Sequence, residues 1–165
     1  MIKTDEKCSL LPDKITTKNK KLDEIIEEAS NILIEDFSMG KVVFRGKRVV
    51  GIYPYTNKES YKHILKLDDG TATKPQLVER ALRCKQYACL LNLSSQKSCC
   101  KEFMCWKEYD IKRSRWTWCV VCPLNKILIV LGEMKESFIL VTAYHLLGKG
   151  LEKQIKRYKK SKNKQ

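Results

Sequence analysis

The sequence contains only two histidines, His63 and His145, so any chemistry that depends on imidazole is confined to them. No apolar run approaches the roughly 20 residues of a spanning helix, and no apolar stretch follows the charged N-terminus, so we expect neither a membrane segment nor a signal peptide. The sequence also lacks a P-loop, a G-x-G-x-x-G run, a metalloprotease helix and a serine-hydrolase elbow. These absences exclude the enzyme classes that such motifs define.

Acidic residues are few beside basic ones: 33 lysines and arginines stand against 19 aspartates and glutamates, for a formal net charge of +14. This excess indicates a polyanionic partner, either nucleic acid or an anionic membrane surface. A membrane-surface helix needs bulky apolar residues opposite its charges, and the basic C-terminal segment offers only Leu151, Ile155 and Tyr158. We therefore predict nucleic acid as the partner and no membrane; RNA in particular is what the family resemblance described below implies. The protein is expected to be cytoplasmic, or delivered into a target cell without a classical signal peptide.

Eight cysteines are present, but the two close pairs typical of a structural zinc site are not. Cys119 and Cys122 have a suitable spacing, yet residues three apart in a strand face opposite sides of the sheet. Cys99, Cys100 and Cys105 form a better cluster but have no second C-x-x-C beside them. Because no export signal is present, disulfides are not expected. We predict free cysteines, no metal site and no cofactor.

Hydrophobic patterning predicts an α+β fold in a single domain over residues 21–160. Residues 1–20 are polar and lysine-rich and predict a flexible basic arm, and residues 161–165 predict a disordered basic tail. Helical patterns come first and short strands last. We therefore expect N-terminal helices packed on one face of a small antiparallel sheet, with the other face open to a ligand and a basic C-terminal helix or tail.

Two helical stripes precede the strands: one begins at Leu22 and should end before Gly40, and another runs from Pro75 to Leu91. Between them, the runs K-V-V-F-R and K-R-V-V-G-I-Y predict either a hairpin or one bulged strand. Residues 94–112 show no clear period.

Three β-branched runs close the domain, R-S-R-W-T-W-C-V-V, K-I-L-I-V-L and S-F-I-L-V-T-A-Y-H-L. In the first run Arg113 and Arg115 are two apart, which predicts that both lie on one strand face and can bind a phosphate together. Trp116 and Trp118 fall on the opposite face and are expected to enter the core.

Thr142 and Tyr144 share a face of the third run, where their hydroxyls can bind a phosphate oxygen or position a ribose 2′-OH. RNA cleavage by 2′-OH attack needs a base, an acid and cations that stabilise the transition state. His63 can supply the acid or the base, whereas His145 is directed away from Tyr144 and is expected to matter less. Ordinary packing is the alternative for each residue. The predicted catalytic residues are His63, Arg113, Arg115, Thr142 and Tyr144.

The C-terminal segment combines many cations with a single Glu152, which favours phosphate contact over a merely solubilising end. The predicted nucleic-acid-binding residues are Lys149, Lys153, Lys156, Arg157, Tyr158, Lys159 and Lys160.

The R-x-R-W strand, the I-L-I-V-L strand and the F-I-L-V-T-A-Y strand followed by K-R-Y-x-K resemble phage- and mobile-element-borne members of the barnase–EndoU–colicin–RelE ribonuclease superfamily. The upstream Y-K-H-I-L is similar to the histidine-bearing segment of that superfamily, and the resemblance covers roughly residues 57–160. It implies a barnase- or RelE-like fold, metal-independent ribonuclease action as a toxin or phage-linked effector, and a cognate inhibitor protein. The positions it matches are His63, Arg113, Arg115, Thr142, Tyr144 and Tyr158.

The chain departs from this pattern at His145, where relatives often carry proline, and in its cysteine-rich loop at 99–105. Our first hypothesis is a metal-independent endoribonuclease. The alternatives are a non-catalytic RNA- or DNA-binding protein and a protein-interaction module of a phage or secretion system. A pure binder should expose aromatic residues between basic ones, which distinguishes it from the enzyme.

Overall fold

The computed structural model describes residues 11–52, 64–65, 74–94 and 103–164. The helices of these residues are α1 (Leu22–Ser38), α2 (Lys74–Leu82), α3 (Cys84–Ser94) and α4 (Gly150–Lys162). The strands are β1 (Val43–Phe44), β2 (Lys47–Ile52), β3 (Met104–Asp110), β4 (Arg115–Cys122), β5 (Ile127–Glu133) and β6 (Ser137–His145). The predicted α+β class is confirmed.

Helix α1 forms where the first helical stripe predicts it. Ile25, Ala29, Leu33 and Phe37 recur every four residues and are buried. The Glu24 carboxylate accepts a hydrogen bond of 2.6 Å from the backbone N–H that precedes the helix, which satisfies one of the donors left over at a helix N-terminus. The stripe therefore predicts both the helix and its buried face.

Strands β1 and β2 form a hairpin rather than one bulged strand. Arg45 and Gly46 have φ values of 48° and 79°, the left-handed pair that a two-residue hairpin turn requires. Glycine adopts this conformation without steric cost.

The six strands form one mixed sheet in the order β1-β2-β6-β5-β4-β3, so the predicted purely antiparallel sheet is wrong. Strands β3 to β6 are an antiparallel meander, but β2 pairs with β6 in parallel, with Arg48 opposite Ser137. A parallel neighbour needs a long crossover connection, and the chain between β2 and β3, which includes α2 and α3, provides one. The central position of β6 depends on this long-range pairing, which local patterning does not reveal.

Strand β3 lies in the stretch that showed no clear period. It is an edge strand, and only its first half is covered: Met104 and Trp106 are buried, while Lys107 and Tyr109 are exposed. Because the alternation of apolar and polar residues fades along the strand, the usual sequence signal is lost.

The inner face of the sheet carries the main core. On this face Val120, Ile129, Leu131 and Ala143 pack together with the buried side chains of α1, α2 and α3. Cys122 belongs to the same cluster, as expected for a residue three positions after a cysteine of the other face.

The outer face carries a second, smaller cluster beneath α4. Trp106, Cys119 and Leu128 belong to it, and Ile155 and Tyr158 of α4 pack against it. The face that we expected to be open to a ligand is therefore partly covered by α4, because the basic C-terminal segment is an amphipathic helix with its own apolar side.

Part of the predicted flexible arm, residues 11–20, packs against the body of the protein. Ile15 is buried, its N–H donates to the Leu82 carbonyl at 2.9 Å, and Gln86 donates to the Pro12 carbonyl at 2.8 Å. At the other end α4 continues to Lys162, beyond the predicted start of the tail. None of the described helices has both the length and the apolar character needed to cross a membrane.

Candidate active site

Three of the predicted catalytic residues lie on the outer face. Thr142 is paired with Val130 and Tyr144 with Leu128, both of which contact the outer cluster. Arg115 also lies there, because a Cβ placed on Gly132 would be 3.2 Å from the Arg115 Cδ and 3.3 Å from its Nη1. The two hydroxyls and the guanidinium therefore project from one side of the sheet.

Arg113 does not join them, and the prediction that it shares a strand face with Arg115 is wrong. It lies in the turn between β3 and β4, where Ser114 adopts a left-handed φ of 48° that ends the alternation of a strand. Its guanidinium binds the Asp110 carboxylate at 2.8 Å, and this hydrogen bond holds the pKa of Asp110 below its ordinary value. Arg113 stabilises the turn.

His63, the predicted acid or base, lies outside the described residues.

A pocket of about 270 Å³ lies where β6 ends, between α2 and the start of α4. Tyr144 and His145 line it from the sheet, Arg80 from α2, and Lys153 and Gln154 from α4. The pocket thus joins Tyr144, predicted to be catalytic, and Lys153, predicted to bind nucleic acid, with three side chains in neither predicted set, those of Arg80, His145 and Gln154.

The Arg80 side chain is a buried cation. The residue is only 9% exposed, and its guanidinium carbon lies 5.0 Å from the centre of the Tyr144 ring. Burial disfavours the charged form of each group, so it lowers the pKa of Arg80 and raises the pKa of Tyr144. The positive charge of Arg80 opposes the shift of Tyr144 but does not cancel it. Among the described residues no carboxylate forms an ion pair with Arg80. The Arg80 nitrogens are not among the enclosed polar atoms that lack a partner in the described part of the chain, so the pocket leaves them open to water or to an anion.

His145 is half-buried and lines the same pocket as Arg80, and its lowered pKa makes it neutral at pH 7. The pKa of His145 is lowered to about 4, first by burial and then by the positive charge of Arg83. Lys14 and Lys126 lower it more weakly, while Glu79 opposes the shift. The His145 Nδ1 has no hydrogen-bond partner among the described residues. That nitrogen is enclosed by protein, so a proton from a ligand in the pocket has to be accepted at the other ring nitrogen, Nε2.

Glu79, which also lines the pocket, is held by cations. Arg83 donates to its carboxylate and Lys14 lies 3.8 Å away. Burial would raise the pKa of Glu79, but the hydrogen bond and the charges of these cations outweigh burial and lower it. In the unliganded protein the negative charge of Glu79 is therefore already compensated by Arg83 and Lys14.

The lysines of α4 form a stripe that leads away from the pocket. Lys149, Lys153, Lys156 and Lys160 are exposed and follow one another at intervals of four, three and four residues, so they lie on one side of the helix. The opposite side contacts the outer cluster. We call these four residues the lysine stripe.

Three other residues predicted to bind nucleic acid lie elsewhere on the helix. Arg157 forms an ion pair with Glu108, and the Tyr158 ring packs at 6.0 Å from the Trp106 ring. Both fasten α4 to β3. Lys159 is exposed but lies beside the stripe.

Among the described residues no group of three histidines, cysteines, aspartates or glutamates is arranged to hold a metal ion. Burial raises the pKa of the Cys84 and Cys119 thiols, which keeps both protonated. No family model, curated protein or solved structure matches the chain.

Sequence patterns did not indicate a functional role for Arg80, and they predicted only a minor role for His145. Arg80 lies one residue before the buried Ala81, and the helical period predicted an exposed position for it. The available signal was the dipeptide Tyr144-His145 at the end of a strand, where the side chains of consecutive residues can both reach a pocket that wraps around the end of the sheet.

Proposed function

We propose that the protein is a metal-independent endoribonuclease that cleaves RNA by attack of a ribose 2′-OH on the adjacent phosphate. The observation that carries the proposal is the juxtaposition of the buried Arg80 guanidinium with neutral His145 and Tyr144 in one pocket beside the lysine stripe.

Each required group has a candidate in this pocket. His145 takes the proton of the 2′-OH as the oxygen attacks phosphorus. Arg80 binds the phosphate and stabilises the charge that grows on its oxygens. Tyr144, whose raised pKa keeps its hydroxyl protonated, supplies a proton to the leaving 5′-oxygen as the bond from phosphorus to that oxygen breaks. The products are a 2′,3′-cyclic phosphate and a 5′-hydroxyl.

The remaining predicted residues contribute to binding. In this proposal Thr142 and Arg115, which lie on the outer face, contact the RNA backbone, and the lysine stripe extends the positive surface from the pocket. His63 keeps its sequence-based candidacy as acid or base. We include the barnase- or RelE-like likeness in the proposal, together with a toxin or effector role in a cytoplasm and a cognate inhibitor protein.

The test is to incubate purified protein with a single-stranded RNA in EDTA and to analyse the ends of the products. Fragments with cyclic phosphate ends, lost in the Arg80→Gln protein, support the proposal. RNA that stays intact, or cleavage that needs added magnesium, contradicts it.

A second candidate, non-catalytic binding of single-stranded nucleic acid, is favoured by one observation. Tyr109 and Trp116 are half exposed and lie beside cations, the feature expected of a binder.

A further inference from the structure

The prediction that Trp116 enters the core is wrong, because Trp116 is 49% exposed and Tyr109, opposite it on β3, is 50% exposed. Their rings meet edge to face with centroids 5.4 Å apart. On the inner face of β4, Trp118 still packs against the main core. Trp116, two residues earlier on the same face, lies outside that core. Two large aromatic rings are thus presented to solvent at a corner of the sheet.

Cations flank these rings. Lys107 Nζ lies 5.0 Å from the centre of the Trp116 ring and 5.9 Å from that of Trp118, and the Arg45 guanidinium lies 4.4 Å from Trp118. Lys107 is held in place by an ion pair of 2.6 Å with Glu133. We call Tyr109, Trp116, Lys107 and Arg45 the aromatic corner.

From these contacts we propose that the aromatic corner is a binding platform for single-stranded nucleic acid, in which bases stack on Trp116 and Tyr109 and Arg45 faces the phosphates, while Lys107, paired with Glu133, supports the Trp116 ring. Aromatic faces accept every base, and adjacent cations compensate the backbone charge. The net charge of +14 supports a polyanionic occupant over a neutral apolar partner.

The platform is separate from the pocket at the end of β6. Tyr144 and His145 are level with Cys122 at the end of β4, whereas Trp116 lies six residues earlier in that strand, about 20 Å away at the rise of a β-strand. The inference therefore does not depend on RNA cleavage.

Binding of the full chain to a fluorescent 12-nucleotide 2′-O-methyl oligouridine, which cannot undergo 2′-OH attack, tests the inference by anisotropy. An oligothymidine arm compares DNA. We expect Trp116→Ala and Tyr109→Ala each to raise Kd about 5- to 150-fold, the effect of losing one stacked base. Trp116→Phe should retain most of the affinity, because a ring remains. Ile111→Ala serves as the control, since Ile111 is the most exposed apolar residue nearby but has no ring.

The salt dependence of binding separates stacking from charge. Trp116→Ala should leave the slope of log Kd against log salt unchanged, because no phosphate contact is removed. Unchanged affinity in the Tyr109→Ala/Trp116→Ala double variant, or an equal loss in Ile111→Ala, would overturn the platform. So would a double variant that retains oligonucleotide affinity but loses self-association or binding of a protein, because the corner would then be a protein interface. Since the probe is not cleavable, a protein without ribonuclease activity can still show the platform.

Discussion

The Arg80 guanidinium lies 5.0 Å from the centre of the Tyr144 ring, so a cation from α2 is placed against the strand residue predicted to bind phosphate. The π-face of a tyrosine compensates only part of the cost of burying a charge. Under the proposed function, a phosphate bound in the pocket would offset the remainder. This contact links the stability of the unliganded protein to its proposed chemistry.

Replacing Arg80 with glutamine should lower kcat/KM on RNA by about 10²–10³, the effect of losing one donor that stabilises a developing oxyanion. The melting temperature should change little or rise, because the substitution removes a buried charge that has no ion pair among the described residues.

Arg83→Gln is the matched comparison, since Arg83 directly follows the last residue of α2 and is also buried but pairs with Glu79. It should cost on the order of 1–3 kcal/mol of unfolding free energy. If Arg80→Gln destabilises the protein as much as Arg83→Gln does, the Arg80 side chain is structural.

The pH dependence of cleavage should identify His145. A general base must be neutral, and His145 with its pKa of about 4 is neutral at every pH above that value. The profile of kcat/KM should therefore fall only as pH drops through about 4, rather than through about 6.5 as for an unperturbed histidine. His145→Gln should abolish cleavage, and His63→Gln provides the comparison. An acid limb near 6.5 that disappears in His63→Gln would assign the base to His63.

The same shift predicts how stability depends on pH. The pKa of His145 is lower in the folded protein than in the unfolded chain, so the unfolded chain binds more protons between about pH 6.5 and 4. The contribution of His145 to unfolding free energy is therefore neutral above pH 6.5 and becomes unfavourable as pH falls towards 4. Denaturation of His145→Gln by urea at pH 7 and pH 4.5 should show a smaller loss than the parent protein. An equal loss in both proteins would mean that His145 is not desolvated.

Local patterns predicted α1 and strands β4 to β6, because in these segments one side of the element is buried along its length. For β1 and β2 they left a hairpin and one bulged strand as alternatives, and the hairpin is what forms. They did not predict the parallel pairing of β2 with β6, which depends on residues about ninety positions apart. Strand β3 was missed because its second half is exposed.

The site was predictable only in part. Side-chain alternation placed Thr142 and Tyr144 correctly relative to each other, since both lie within one strand. It failed for Arg113 because Ser114 takes a turn conformation. The burial of Arg80 could not be predicted from the sequence. The helical period places Arg80 with the exposed residues, and only the packing of α2 against the end of β6 buries it.

The lysine stripe should determine the salt dependence of RNA binding. Replacing Lys149, Lys156 and Lys160 with glutamine removes three cations and leaves Lys153 in the pocket, so the slope of log K against log salt should fall in magnitude by about 2 for single strands. The same change at Lys18, Lys41 and Lys85, which are exposed elsewhere, is the control. Equal effects of the two triple variants would show that only net charge matters. Point substitutions are preferable to deletion because α4 packs on the sheet.

Arg157 and Lys156 are adjacent cations with different predicted roles. Arg157 pairs with Glu108 and also donates to Gln154, whereas Lys156 belongs to the lysine stripe. Both partners of the Arg157 pair are more than a third exposed, so Arg157→Ala should lower the unfolding free energy by at most about 1 kcal/mol. It should leave the slope of log K against log salt nearly unchanged, because that cation is already compensated by Glu108.

Lys156→Ala should leave the unfolding free energy unchanged and reduce the magnitude of that slope by about 0.7. Measuring urea denaturation and salt-dependent binding on both proteins separates the roles, and a slope that falls equally in both would place Arg157 in contact with phosphate.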